Sequence, residues 1–155
     1  KERVPNNPQV DYAGFAALTS DLAKVRQTHR LRWNTFARRA AARGALLLDA
    51  RSADAFARGH LKGAVNLPFT DFTDEALRAV IGDNPKRPIY IYCNNNFSDN
   101  RAPVVTKRVE LALNIPTFIN LHGYGYRNVW ELADVISTKG PDVKWVGNSA
   151  GKPRG

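Results

Sequence analysis

Residues 46–69 read "LLLDARSADAFARGHLKGAVNLPF", and this stretch decides the fold. With Ala45 in front, the apolar run "ALLLDA" has the pattern of a strand buried on both faces rather than on one. Ser52 follows, a side-chain oxygen placed to cap the short helix "SADAFARG". "GAVNLP" then reads as a second short strand. A strand, a short helix and another strand in close succession predict an α/β chain.

The same logic extends outward. Tyr12, Phe15, Leu18, Leu22 and Val25 recur at helical spacing, so residues 11–28 are expected to form an amphipathic helix. "LRW" is strand-like. Asn34 is a candidate cap for a helix through "TFARRAAAR", with Gly44 as its C-terminal cap. Downstream, "TDEALRAVI" begins with a capping threonine and reads as helix, and "PIYIY", 88–92, as a strand. A helix is expected through "RAPVVTKRVELAL". Pro103 is tolerated only in a first turn, so that helix would start near Arg101 with Asn100 as cap. "PTFINL" reads as a strand and "YRNVWELADVI" as a last helix, with Trp130 in its core face. The expected architecture is α/β, a mainly parallel central sheet flanked by helices, with an N-terminal helical extension. Three segments result: an arm and amphipathic helix over 1–29, one domain over 30–136, and a loosely held Gly/Pro/Lys-rich tail over 137–155.

Composition narrows the function. The chain of 155 residues suits one domain with a real core. No apolar run is long enough to span a bilayer. A single cysteine excludes an internal disulfide, a CxxC redox pair and a cysteine-based zinc site. His29, His60 and His122 have no metal-ligand spacing, and no cofactor is implied. The net charge is +9, and Leu22 to Gly44 holds seven Lys/Arg and no acid. Lacking the aromatic and glycine interleaving of a nucleic-acid module, this reads as a solvated basic face rather than a nucleic-acid surface.

In "IYIYCNNNFSDNRAPVV", 89–105, the one cysteine stands where a strand ends and a polar loop begins. Sites in open parallel sheets form at the carboxyl ends of strands. Loop N–H groups and a following helix N-terminus converge there on an anion, which would lower the pKa of Cys93 and suit it as a nucleophile. Asp49 and Arg51 end another strand at the same edge.

The stretch over 46–69 resembles the opening of a rhodanese-like domain: a strand ending Asp-x-Arg, a short helix, Gly-His, then Gly-Ala-x-Asn-(hydrophobic)-Pro. "IYIYC" is similar to the strand that delivers that family's catalytic cysteine. "INLHGYGYRNVW" is similar to its late glycine-bearing turn. The likeness covers about residues 30–136 and is nearest to a bacterial exported single-domain subgroup with an Asn-rich cysteine loop. It implies a sulfurtransferase in which Cys93 carries a sulfane sulfur as a persulfide. Asn94, Asn95, Asn96, Phe97 and Ser98 would form the anion cradle, joined at the substrate by Arg101 and by Tyr124 as a pocket wall. Asp49, Arg51 and His60 are read as structural, and no residue as a metal ligand.

The partners implied are a small sulfur donor and a thiol acceptor, or a persulfide-bearing protein. The loop has no cation before Arg101, and Asp99 would repel a dianion. An organic or protein persulfide is therefore expected as donor in place of thiosulfate. Two alternatives differ in class. A phosphatase of the C-x5-R type would need arginine where Asp99 stands. A non-catalytic binding module would act through the basic face or the N-terminal helix. The subgroup likeness and the trimmed-looking start favour a periplasmic or secreted protein, with the cytoplasm as the alternative.

Overall fold

The computed structural model describes residues 1–147. Its strands β1 (Arg30–Leu31), β2 (Leu46–Asp49), β4 (Val65–Asn66), β5 (Ile89–Tyr92) and β6 (Val129–Leu132) form one parallel sheet in the order β1-β6-β5-β2-β4. Helices α1 (Tyr12–Thr28), α2 (Trp33–Ala40), α3 (Ala53–Arg58), α4 (Asp74–Ile81) and α5 (Asn114–Gly123) surround it. A small antiparallel pair joins β3 (His60–Leu61) to β7 (Trp145–Val146). Among the described residues no helix is long and apolar enough to cross a membrane.

Period-two alternation explains the two cores. Leu46, Leu48, Ile89, Ile91 and Val129 point to one face, against Leu22 of α1, Leu77 and Ile81 of α4, and Phe118 and Leu121 of α5. Leu47, Tyr90, Tyr92 and Leu132 point to the other, against Phe36 of α2, Leu61 and Phe97. β2 and β5 are buried on both faces, so their sequences are nearly continuous in apolar residues.

Through β5 the expected elements are present, with both expected caps of α2 displaced. Ser52 Oγ accepts from Ala55 N, and Thr73 Oγ1 from Ala76 N. Asn34, however, lies inside α2, whose cap position falls on Arg32. The orphan amide of Trp33 is met instead by Asp134 Oδ2 at 2.6 Å, from the far end of the chain. Gly44 does not cap the helix; it sits in the turn before β2 with φ of +86°.

After β5 the expected elements are displaced. Residues 97–113 form an irregular strap with one short 3-10 turn, Val109–Leu111, where a helix was expected. Asn100 is a left-handed turn residue (φ +47°) and not a helix cap. "PTFINL" belongs to helix α5, with Pro116 in its first turn. Val129–Leu132, expected in a helix, is strand β6, and Trp130 is half-buried there. Residues 137–147 are not loosely held: β7 pairs with β3, and Trp145 packs edge-on against Phe97 at 5.0 Å. The remainder of the expected tail, 148–155, lies outside the described residues.

Candidate active site

Cys93 follows β5, the central strand of the sheet, and is 1% exposed. It lies on the floor of an open cavity of about 260 Å³. Arg51, Ser52, Phe69, Thr70, Asn95, Lys107 and Leu113 are among the residues that line it. Backbone N–H groups of Asn114, Asn95 and Leu113 donate toward Sγ. Two of these belong to the start of α5, so a helix N-terminus does face the sulfur. It arrives after the strap and not directly after the cysteine loop.

The thiol itself departs from the expected direction. Burial pushes the Cys93 thiol up, the N–H donors pull it down without prevailing, and the carboxylate of Glu131 adds to the rise.

Asn94 and Asn95 line the cavity, but the side-chain amides of the asparagine run bond to the protein. Asn96 is 5% exposed. Its Oδ1 accepts from Cys93 N at 3.0 Å and from Asn114 Nδ2 at 2.8 Å. Its Nδ2 donates to Leu132 O at 3.0 Å and Asp134 O at 2.9 Å. One amide thus fastens the cysteine, the start of α5 and the end of β6. Asn95 exchanges two hydrogen bonds with the backbone of Lys107, both 2.9 Å. Asn94 Nδ2 donates to Val105 O at 3.0 Å. Asn100 Oδ1 accepts from Thr106 N at 3.0 Å. Together these fix the strap beside the mouth of the cavity.

Several expected substrate contacts lie elsewhere. Phe97 is 2% exposed and packs on Tyr92 and Trp145 in the opposite core. Ser98 is exposed and bonded to Ile136 O, and Arg101 is exposed on the strap; neither lines the cavity. Tyr124 follows the C-terminal end of α5, about 15 Å of helix from its N-terminus. Its hydroxyl donates to Phe72 O. Asp99 does not line the cavity; its carboxylate accepts from Thr138 N at 3.0 Å and Thr138 Oγ1 at 2.7 Å.

Asp49 and Arg51 form a buried bidentate pair, with Nη2–Oδ2 at 2.7 Å and Nε–Oδ1 at 3.0 Å. The Tyr92 hydroxyl also donates to Asp49. Arg51 reaches further, to Gly59 O at 2.6 Å, Pro103 O at 3.3 Å and Asn94 Oδ1 at 3.4 Å. It therefore braces both the cysteine loop and the strap while lining the cavity. His60 stacks on Phe56 at 3.7 Å, with Nδ1 2.7 Å from Phe56 O, and does not reach the cavity.

Lys107 is the charged cavity residue that sequence reasoning missed, beside Phe69, Thr70 and Leu113. It was placed mid-helix by the pattern of 101–113, and no local signal shows that Asn95 pins its backbone beside Cys93. Among the described residues no cluster of His, Cys, Asp and Glu could hold a metal ion.

A parallel α/β sheet with a cysteine at the carboxyl end of its central strand defines the class, and the comparisons name it. The family model of the rhodanese-like domain matches residues 33–134, and the chain belongs to that family. The solution structure of the rhodanese-like domain of the Anabaena sp. Alr3790 protein superposes with a TM-score of 0.53 at 21% identity, over 82% of this chain and 86% of that one. A crystal structure of the same Anabaena protein gives 0.50 at 18% identity, over 74% and 88%. At these identities the likeness is one of fold. No curated protein matches the chain.

Proposed function

We propose that the protein is a sulfurtransferase in which Cys93 carries a sulfane sulfur. The observation that supports this most is the convergence of three backbone N–H groups on Sγ at the floor of a cavity with Lys107 in its wall. The Cys93 thiolate attacks the outer sulfur of a donor R–S–SH. The donor S–S bond breaks, R–S⁻ leaves and takes up a proton, and Cys93 becomes a persulfide. An acceptor thiolate then attacks the outer sulfur, forms its own persulfide and returns the Cys93 thiolate. No oxidant is needed. The N–H groups hold negative charge on sulfur throughout.

The donor question changes with the geometry. Asp99 is turned to Thr138 and lies outside the cavity lining, while Lys107, from outside the cysteine loop, is part of it. Charge therefore no longer disfavours thiosulfate relative to an organic persulfide, and any small anionic sulfane donor fits.

The test is intact mass after incubation with thiosulfate and, separately, with glutathione persulfide, beside Cys93→Ala. A cyanide-labile gain of one sulfur, absent in Cys93→Ala, is expected. No adduct from either donor would sink the reading and leave a binding module on a rhodanese-like frame.

A further inference from the structure

Glu131 is a carboxylate in the middle of a sheet, and its surroundings tie the N-terminal helix to the candidate active site. The β5–β6 register sets Glu131 opposite Ile91. Side chains two residues apart share a sheet face, so Glu131, Ile91 and Cys93 all point toward α1 and α5. Strand spacing and rise put the Cα atoms of Glu131 and Cys93 about 8 Å apart. The carboxylate side chain is 4% exposed. Its partner is Arg26, in the last turn of α1, with Nε–Oε1 at 2.7 Å and Nη2–Oε2 at 2.5 Å. Arg26 lies outside the segment that the family model matches.

We infer that α1 is part of the sulfur site: Arg26 neutralises Glu131, and this pairing sets how readily the neighbouring Cys93 ionises. Left alone, a buried carboxylate at this range would oppose a thiolate. Paired in a fork, its field at the sulfur is largely cancelled. Arg26 is a positioning residue, since it acts through Glu131 and touches no reacting atom.

The other charged groups around Cys93 are held constant in the test. Arg51 is committed to Asp49, with Tyr92 on the same carboxylate. Lys107 sits in the cavity wall, and α5 presents its N-terminal amides to the sulfur and carries His122 in its last turn, at the far end of the helix. The inference uses the thiolate that the sulfur-carrier reading needs, but its test reads the thiol directly and does not depend on sulfur transfer.

The experiment is the pH profile of Cys93 alkylation by iodoacetamide in the full chain. Glu131→Gln is expected to move the midpoint down by about one unit, since it removes an anion and frees a cation. Arg26→Gln is expected to move it up, Arg26→Lys to stay near the parent, and Arg26→Gln/Glu131→Gln to fall between the singles. The double variant carries no unpaired buried charge, so it guards against loss of folding in either single. Midpoints that coincide across the set would overturn the inference. So would shifts of Glu131→Gln and Arg26→Gln in the same direction, the mark of a loosened site, or Arg26→Lys matching Arg26→Gln.

Discussion

At the scale of single residues, the site shows how little a side chain's type says about its use. Asn94, Asn95 and Asn96 look like donors for a ligand, yet their amides are occupied by Val105, Lys107, Leu132 and Asp134. What faces the sulfur is backbone. Of the two basic residues that line the cavity, Arg51 is paired with Asp49, which leaves Lys107, whose backbone is pinned to Asn95. Lys107→Ala is therefore expected to raise KM for an anionic donor by about threefold, the scale of a solvent-exposed charge contact, with kcat little changed. A cleaner check compares alkylating agents: iodoacetate should lose rate in Lys107→Ala while neutral iodoacetamide should not. Equal effects on both reagents would mean that the lysine shapes the cavity and does not read charge. The raised Cys93 thiol predicts a further outcome. Alkylation by iodoacetamide should still be climbing above the usual thiol range, because burial holds the thiol protonated and the reactive thiolate appears late. A plateau reached near neutrality would contradict the burial seen here.

At the scale of elements, Asn96 and Asp134 are the joints. Asn96 fills every bonding position of a buried amide across three elements, so Asn96→Ala leaves Cys93 N, Leu132 O and the Asn114 amide without that partner. Roughly 3 kcal/mol of destabilisation is expected, read by urea unfolding. Faster Cys93 alkylation should accompany it as the loop opens; unchanged stability would show that water replaces the amide without loss. Asp134 caps α2 from the end of the neighbouring strand, and Asp134→Ala should cost about 1 kcal/mol. The Trp33 amide, ahead of Arg32, holds the Asp134 carboxyl below its usual range. The stabilisation is then full above the ordinary carboxylate pKa and is lost as pH falls through the lowered one. The gap between Asp134→Ala and the parent should thus close in acid.

These joints also explain what the sequence disclosed. Ser52 and Thr73 accept from amides three residues on, and β2 and β5 are nearly continuous in apolar residues, so local pattern suffices there. The order of elements after Cys93 could not be read in the same way. Helix α5 is buried at Thr117, Phe118, Ile119 and Leu121, so it has no clear polar stripe and imitates a strand. β6 carries Glu131 inside the sheet, which imitates an amphipathic helix, and the arginine that makes this tolerable lies at position 26. The strap contains the apolar residues of a helix, yet Val109 and Leu111 are 77% and 62% exposed, so burial never selected that form. Cys93 was legible as the end of a strand; the partners of its sulfur depended on contacts that no local window contains.

At the scale of the whole molecule, the question is whether α1 is an appendage or part of the domain. The sequence left both open, since an amphipathic helix outside the family segment can pack at home or on a partner. Leu22 is buried in the core formed with α4 and α5, with Leu18 and Val25 beside it. Arg26 completes the only charge pairing of Glu131 among the described contacts. The basic run is likewise partly committed: Arg32 pairs with Asp134 at 3.0 Å, and Arg39 lies over the Trp130 ring at 5.4 Å. Deleting residues 1–28 would remove the buried Leu22 and uncover the core residues of α4 and α5 that it packs on, at about 2 kcal/mol. It would also strand a buried carboxylate, at about 3–5 kcal/mol. Together these reach much of the roughly 5–15 kcal/mol that holds a domain folded. The shortened chain is therefore expected to melt far below the full chain, or to fail to fold. Adding Glu131→Gln should restore part of the loss, because it removes the stranded charge but does not cover the core surface that Leu22 occupied. If the shortened chain instead melts within a few degrees of the full one, α1 is a detachable arm, and its apolar face is available to a partner.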